Sequence, residues 1–203
     1  MNITEFAQDG DPAKADFFLK LQEHLLGRIL GQKFDGDDCN LFNNTQCNSI
    51  CFRNNTIFRH LTARINYTSY DICRDYDTIN PHTHPFVMVA SPELDSTPGA
   101  HPFWYAQVLG IFHVDVQHVG PHFTSFAWRT IEFLWVRWLG VQGPGHVYTQ
   151  DCAKLPKLAF VPSNDEYAYG FLDPAIIICG CHIIPGFNDG KEGDDWASYY
   201  VNV

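Results

Sequence analysis

The sequence has few charged residues, and basic ones are in short supply. Only 18% of its 203 residues are Asp, Glu, Lys or Arg, and 13 Lys and Arg stand against 23 Asp and Glu, which gives a formal net charge of −10 at pH 7. Proteins that hold a nucleic-acid backbone through charge need a basic face. We therefore do not expect this chain to bind DNA directly.

Long hydrophobic runs are missing as well. The longest apolar stretches, residues 103–112 and 175–185, are shorter than the roughly 20 residues that a membrane-spanning helix needs. The first residues also lack a cationic flank followed by an apolar run, which is the pattern of a secretory signal. These absences predict a soluble intracellular protein, nuclear or cytoplasmic, without a membrane partner.

The cysteines do not form the even set that is typical of a disulfide framework. There are seven of them, and an odd number without an export signal predicts reduced thiols.

Apolar material for a core is plentiful, since 45% of the residues are hydrophobic and 15% are aromatic. A chain of this length suits one domain, or one domain with a helical appendage.

One amphipathic helix is predicted near the N-terminus. Asp11 is a favoured N-cap, Pro12 suits the first helical position, and Gly31 marks the end. The apolar residues between them recur at helical spacing: Phe17, Phe18, Leu21, Leu25, Ile29 and Leu30. The composition then turns to Asp, Asn and Gly, which predicts a loop over residues 34–48. We assign residues 1–48 to this helix and loop.

The rest of the chain is predicted to be mainly β. Short stretches rich in β-branched and aromatic residues alternate with Pro and Gly turns: residues 86–90, 104–116, 131–139, 157–161 and 175–184. Strands at this spacing predict a bent sheet or small barrel over residues 49–188, which also removes exposed strand edges. The acidic residues 189–203 are assigned to a C-terminal tail.

The β region is expected to open with a hairpin. Residues 50–52 and 56–58 flank Arg53-Asn-Asn55, which suits a tight turn. Apolar residues then alternate with polar ones over residues 61–67, as in a half-buried strand. We expect two antiparallel arms followed by a further strand.

A central strand is predicted over residues 131–139. Its side chains should alternate between two faces. One face carries Phe133, Trp135 and Arg137, and the other carries Leu134, Val136 and Trp138. Because both faces hold bulky apolar groups, we expect both to be covered.

A series of short motifs runs through the chain after the helix. They are Ile65-Asn-Tyr-Thr-Ser-Tyr-Asp71, Arg74-Asp75, Asp77-Thr-Ile-Asn-Pro81, Thr83-His-Pro85, Val87-Met-Val89, Gly99-Ala-His-Pro102, Trp104-Tyr-Ala106, Val108-Leu-Gly-Ile-Phe-His113, Glu132-Phe-Leu-Trp-Val-Arg-Trp138, Phe171-Leu-Asp-Pro174 and Gly180-Cys-His-Ile-Ile-Pro185. With the helix and Phe34-Asp-Gly-Asp37, they resemble the C-terminal region of fungal Plavaka-type proteins, transposases of the Kyakuja-Dileera-Zisupton class. The resemblance covers residues 16–187.

In that family the transposition chemistry is attributed to an upstream catalytic region with metal-binding carboxylates. The present chain resembles the region that follows it. The resemblance therefore implies a detached, transposon-derived tail module that lacks the catalytic core.

A weaker similarity exists at the level of the fold. Residues 104–112 and the segment Phe133-Leu-Trp-Val-Arg-Trp138 are similar to two strands of bromo-adjacent homology (BAH) domains. Those domains are bent β modules that bind histone tails or other chromatin proteins. The similarity implies a BAH-like barrel with a protein partner, a histone tail among the options, although a fold alone does not establish function.

The aromatic residues supply the candidate binding site. Trp104, Tyr105, Trp135 and Trp138 could form the faces of a cage for a methylated ammonium group, each contact being worth about 0.5–2 kcal/mol. Glu132 would suit a basic peptide. The alternative is that these rings fill the core.

Cysteine and histidine pairs leave zinc open as a cofactor. They are Cys47 and Cys51 with Cys39 nearby, His82 and His84, and Cys179, Cys181 and His182. Structural zinc needs four such ligands, and none of the spacings is a paired zinc-knuckle pattern. The candidate ligands are His84, Cys181 and His182, where the resembling family also carries His and Cys-His. A buried thiol and a hydrogen-bonded imidazole are the alternative for the last two.

No catalytic residue is assigned. Asp71, Asp75 and Asp77 lack a partner motif, so they predict a solvated face or Asx turns rather than a hard-metal cluster. Cys152 with scattered histidines is not specific for a thiol nucleophile. The prediction is a non-catalytic protein-interaction module. A small metal-dependent or thiol enzyme and a structural, self-assembling protein remain the alternatives.

Overall fold

The computed structural model describes residues 1–8, 10–33, 42–68, 74–95, 100–120, 127–142, 155–193 and 195–202. Its helices are α1 (Ile3–Ala7), α2 (Phe17–Ile29) and α3 (Asn44–Cys47). Its strands are β1 (Ile50–His60), β2 (Ala63–Thr68), β3 (Arg74–Ile79), β4 (Phe86–Ala90), β5 (Phe103–His118), β6 (Arg129–Val141), β7 (Lys157–Phe160), β8 (Tyr169–Leu172), β9 (Ile177–Gly180), β10 (His182–Pro185), β11 (Lys191–Glu192), β12 (Asp195–Trp196) and β13 (Tyr199–Asn202). The predicted architecture, mainly β with an N-terminal helix, is confirmed.

The main sheet forms a nearly closed barrel. Its strands follow the order β10, β13, β7, β6, β5, β4 and β9, and each pairs antiparallel with the next. Only Cys181 separates β9 from β10, and its N–H donates to the carbonyl of Phe86 in β4 (3.0 Å). The first and last strands in this order, β10 and β9, are therefore neighbours in the chain, and this nearly closes the barrel.

Each barrel strand contributes to the core inside. The buried residues of this cluster are Met88, Tyr105, Leu139, Leu158, Cys181, Tyr199 and Val201. Alternate residues of a strand point to opposite sides of the sheet, so every strand places part of its apolar set inward. Hence the barrel depends on β13, which lies in the segment assigned to an acidic tail.

The long strands β5 and β6 extend beyond the barrel and carry the helices. β1 and β8 pair with this extension at its two edges. Phe17 of α2 packs edge-on against Trp135 of β6 and Phe171 of β8, with ring centroids 5.6 and 5.1 Å apart. The helical stripe and the aromatic strand face thus form one buried cluster.

The opposite face of the same strands is covered by the β2–β3 hairpin. Ile65 and Ile79 of the hairpin are buried in a cluster with Leu134 and Val136 of β6. Trp138 belongs to this cluster, whereas Trp135 faces α2. The prediction of a central strand covered on both faces is confirmed.

The start of the predicted helix differs from the prediction. The Asp11 side chain accepts the Ala13 N–H, but the helical turn that it caps is the separate 3-10 segment Pro12–Lys14. Asp16 then adopts a left-handed conformation (φ 58°), which interrupts the helix before α2 begins. The burial of Phe17, Leu21 and Leu25 is as predicted.

The predicted hairpin at residues 50–58 is wrong. Both proposed arms belong to β1 and pair in the same direction with β5, Phe52 opposite Val116 and Ile57 opposite Val114. The residues between them form an irregularity, where Asn54 and Asn55 have positive φ. Asn tolerates this conformation, so it permits a bulge as readily as a turn.

Two further segments are more ordered than the composition suggested. Residues 34–41 of the predicted loop lie outside the described residues, but residues 44–47 form α3, closed by a capping box between Asn43 and Gln46. In the predicted tail, Asp195 and Trp196 form β12, and residues 199–202 form a barrel strand. None of the described helices could cross a membrane.

Candidate functional site

The predicted aromatic site is divided among three parts of the core. Tyr105 lies inside the barrel and Trp135 lies under α2. Trp104 and Trp138 contact each other edge to face, with ring centroids 5.6 Å apart. Trp138 is 7% exposed and Tyr105 is 1% exposed. The structure therefore does not bring these rings together around one open cage.

Glu132 is exposed at a different place. It lies at the rim of an open depression of about 750 Å³ beside Arg28 and Asp173. Arg28 pairs with Asp173 (2.7 Å) and donates to the Glu132 carbonyl (2.5 Å). Burial lowers the pKa of Arg28, against the opposing effect of Asp173. These contacts attach α2 to the end of β6, so we assign them a structural role.

The three predicted zinc ligands, in contrast, do come together. His84, Cys181 and His182 line one open pocket of about 450 Å³, with Tyr76 and Asp77 on the hairpin side. We call this the hairpin pocket. The rings of His84 and His182 lie 6.4 Å apart at 70°.

Local structure explains how His84 reaches the hairpin pocket. Asn80 and His84 exchange backbone hydrogen bonds of 3.0 and 3.1 Å, which closes the turn between β3 and β4. The Asn80 side chain accepts the His82 N–H within the turn (2.9 Å), as Asx turns do. The Nδ1 of His84 contacts the Thr83 hydroxyl at 3.1 Å. The turn therefore holds His84 on the rim.

The carboxylate of Asp77 lines the hairpin pocket and is held in place by a backbone hydrogen bond. Its Oδ2 accepts the N–H of Gly180 (2.8 Å), which ties the hairpin to β9. Asp77 is the main cause of a raised pKa at Tyr67, and it adds to the effect of burial in raising the pKa of Cys179. Both effects follow from the negative charge of Asp77 beside these two groups.

Apart from Asp77, the pocket offers rings and small polar groups. Tyr76 is 50% exposed, and the guanidinium of Arg64 lies 4.9 Å from its ring centroid. Phe86 is half-buried. No Lys or Arg is among the described residues that line the pocket. The lining therefore suits a cationic group better than an anionic one.

Burial raises the pKa of Cys181, which lines the pocket, and of the neighbouring Cys179, which does not. Burial, with a smaller contribution from Cys179, raises the pKa of Cys181 to about 12. The pKa of Cys179 is raised chiefly by burial. Since the thiolate is the reactive form, neither environment activates a nucleophile.

The hairpin pocket does not have the geometry of a metal centre. Across the described residues, no group of three or more His, Cys, Asp or Glu side chains is arranged to hold a metal ion. Cys47 is buried and Cys51 is exposed. Cys39, Asp71 and Cys152 lie outside the described residues. The zinc alternative gains no support from this geometry.

The sequence predicts a solvated acidic face or Asx turns at Asp77, whereas in the structure its carboxylate accepts the Gly180 N–H. Register offers the missing signal, because Asp77 pairs with the buried Ile65 and so shares its face. Comparisons of the chain with protein-family models, with curated proteins and with solved structures find no match.

Proposed function

We propose that the chain is a non-catalytic protein-interaction module that binds a basic peptide segment of its partner in the hairpin pocket. The observation that carries the proposal is the Asp77 carboxylate, held by the Gly180 N–H in an open pocket whose described lining contains no Lys or Arg. Basic histone tails are the first partners to test. The transposase ancestry rests on the motif resemblance.

Both the net charge of the chain and the local charge of the pocket favour a basic partner. Over the whole chain, the formal charge of −10 attracts cationic segments and speeds their encounter. Within the pocket, an ammonium or guanidinium group would meet the Asp77 carboxylate, and charge-assisted hydrogen bonds of this kind are stronger than neutral ones. The exposed Tyr76 ring, on the face away from Arg64, adds a cation–π contact of about 0.5–1 kcal/mol.

The chemistry of the pocket favours binding over catalysis. A thiol enzyme needs a thiolate or an adjacent base that produces one, whereas burial keeps Cys181 protonated. The imidazole rings of His84 and His182 lie edge to face, with centroids 6.4 Å apart. Contacts on both rings can therefore be made with a peptide inserted along the hairpin.

Titration of the purified protein with modified and unmodified histone-tail peptides tests the proposal. Asp77→Asn keeps an oxygen that can accept the Gly180 N–H and removes only the charge. We expect it to weaken binding by more than about tenfold, as the loss of a charged hydrogen bond would. Glu192→Gln removes the same charge from β11 and should have little effect.

Two results would contradict the proposal. One is the absence of binding below millimolar peptide concentrations for every tail. The other is an equal loss for Asp77→Asn and Glu192→Gln, since this would show that only net charge matters. Repeating the titration at higher salt should weaken binding, because salt screens exposed charges.

A further inference from the structure

A pair of histidines lies outside the hairpin pocket, on the open side of β1 and β5. The Nε2 of His60 and the Nδ1 of His113 are 2.6 Å apart. Phe58 stacks on the His113 ring with centroids 4.6 Å apart and planes 8° apart, which fixes its orientation. His60 is exposed. The two imidazoles therefore share a hydrogen bond, in which one facing nitrogen donates to the other, at a place that solvent can reach.

We propose that His60 and His113 form a bidentate site for a divalent transition-metal ion, with Cu²⁺ and Ni²⁺ preferred over Zn²⁺. Each neutral ring carries one proton. In the free protein one facing nitrogen donates its proton to the other. Metal binding breaks this hydrogen bond, because with the ring protons on Nδ1 of His60 and Nε2 of His113 both facing nitrogens present lone pairs. Water completes the coordination shell, so the site needs no third protein ligand.

The distance between the two nitrogens favours metal ions that bind ligands at right angles. Two nitrogens about 2.1 Å from one ion are about 3.0 Å apart at a right angle and about 3.4 Å apart at a tetrahedral angle. Both values exceed the hydrogen-bonded separation of 2.6 Å, so the nitrogens must move apart by about 0.4 Å for the right angle and about 0.8 Å for the tetrahedral angle. Right-angle geometries belong to Cu²⁺ and Ni²⁺, whereas Zn²⁺ prefers a tetrahedron.

The surrounding charges favour a cation. Glu132 lies directly opposite His113 in the β5–β6 ladder, so the two side chains share a face. Asp115 lies two residues further along β5 on that face. Arg53 lies 3.8 Å from the Asp115 carboxylate and offsets part of its charge. Arg59 pairs with Phe112 and so belongs to the other face of the sheet.

Calorimetric titration of the intact chain with Cu²⁺, Ni²⁺ and Zn²⁺, each alone in a non-chelating buffer, tests the site. We expect Zn²⁺ to bind more weakly than either other ion. His60→Asn and His113→Asn should each weaken Cu²⁺ binding by more than about tenfold. His82→Asn, at the exposed turn between β3 and β4, is the control and should leave it unchanged.

Electron paramagnetic resonance of the Cu²⁺-loaded native protein gives a readout that needs no variant. Coupling to two imidazole nitrogens is expected, and one of them should be lost in His113→Asn. Unchanged affinity in both variants, or Zn²⁺ binding tighter than Ni²⁺, would overturn the proposal. Because this site lies outside the hairpin pocket, its failure leaves peptide binding unaffected.

Discussion

Cys181 illustrates at the residue scale how burial changes reactivity. Its pKa of about 12 leaves on the order of one molecule in ten thousand as thiolate at pH 8. Brief alkylation with iodoacetamide should therefore modify the exposed Cys51 long before Cys181. Mass spectrometry of the tryptic peptides measures both rates. Equal rates at the two positions would contradict the barrel packing around Cys181.

Asp189 carries a pH dependence that can be given a sign. Hydrogen bonds from Ser198 and Lys157 lower its pKa in the folded state. A lowered folded pKa contributes stability above the unfolded value, and this contribution is lost as the pH falls through the folded value.

Asp189→Asn should consequently destabilise the protein at pH 7, and the difference from the native chain should shrink below about pH 4. Urea unfolding at several pH values measures it. Glu192→Gln controls for the change in net charge. A difference that stays constant down to acid pH would show that the carboxylate charge of Asp189 is not the cause.

At the element scale, the irregularity in β5 depends on a glycine. The register against β6 shifts between Val108 and Gly110. A Cβ at Gly110 would lie 2.3 Å from the Phe112 ring, whose side chain is fully buried and has little room to move. The bulge therefore tolerates no side chain here.

Gly110→Ala should lower the free energy of unfolding by about 1–3 kcal/mol through overpacking. Gly140 in β6 is the matched control, because a Cβ there meets nothing within 4 Å. Chemical denaturation of both variants measures the difference. Equal stability of the two would contradict the packing of Phe112 against the bulge.

Elements were predicted well where the signal is local. Strand β4 has the predicted bounds, and the α2 stripe is buried as expected. The β1 hairpin failed because Asn54 and Asn55 fit a turn and a bulge equally well, and only pairing with β5 selects the bulge. Register against a distant strand is not encoded in the residues that form the bulge.

The whole molecule depends on closure by its last strand. β13 lies between β10 and β7, and Tyr199 and Val201 fill the barrel beside Leu158 and Cys181. Removal of residues 194–203 should therefore open the sheet and expose this core to water.

Two signs of opening are expected for the truncated chain. Its unfolding should lose cooperativity, and Cys181 should react with iodoacetamide at a rate close to that of Cys51. Denaturation followed by near-ultraviolet circular dichroism and the alkylation assay measure both. Native-like protection of Cys181 would contradict a structural role for the segment.

The candidate site was partly accessible from the sequence. The sequence predicts His84, Cys181 and His182 as one group of ligands, and the three residues do share a pocket. The sequence does not predict that Asp77 shares this pocket with them, because its position depends on the packing of the β2–β3 hairpin over β9. The aromatic residues were grouped by type, but alternation along β5 and β6 sends Trp135 and Trp138 to opposite faces.

The sequence alone determined the β-rich composition, the amphipathic stripe of α2, the two apolar faces of β6 and the net charge of −10. These properties follow from periodicity and residue chemistry, which act over a few positions. Tertiary structure alone decided the barrel closure by β13, the carboxylate of Asp77 beside two imidazoles, and the meeting of His60 with His113. Each of these joins residues distant in the chain, and such contacts depend on strand register that no local pattern contains.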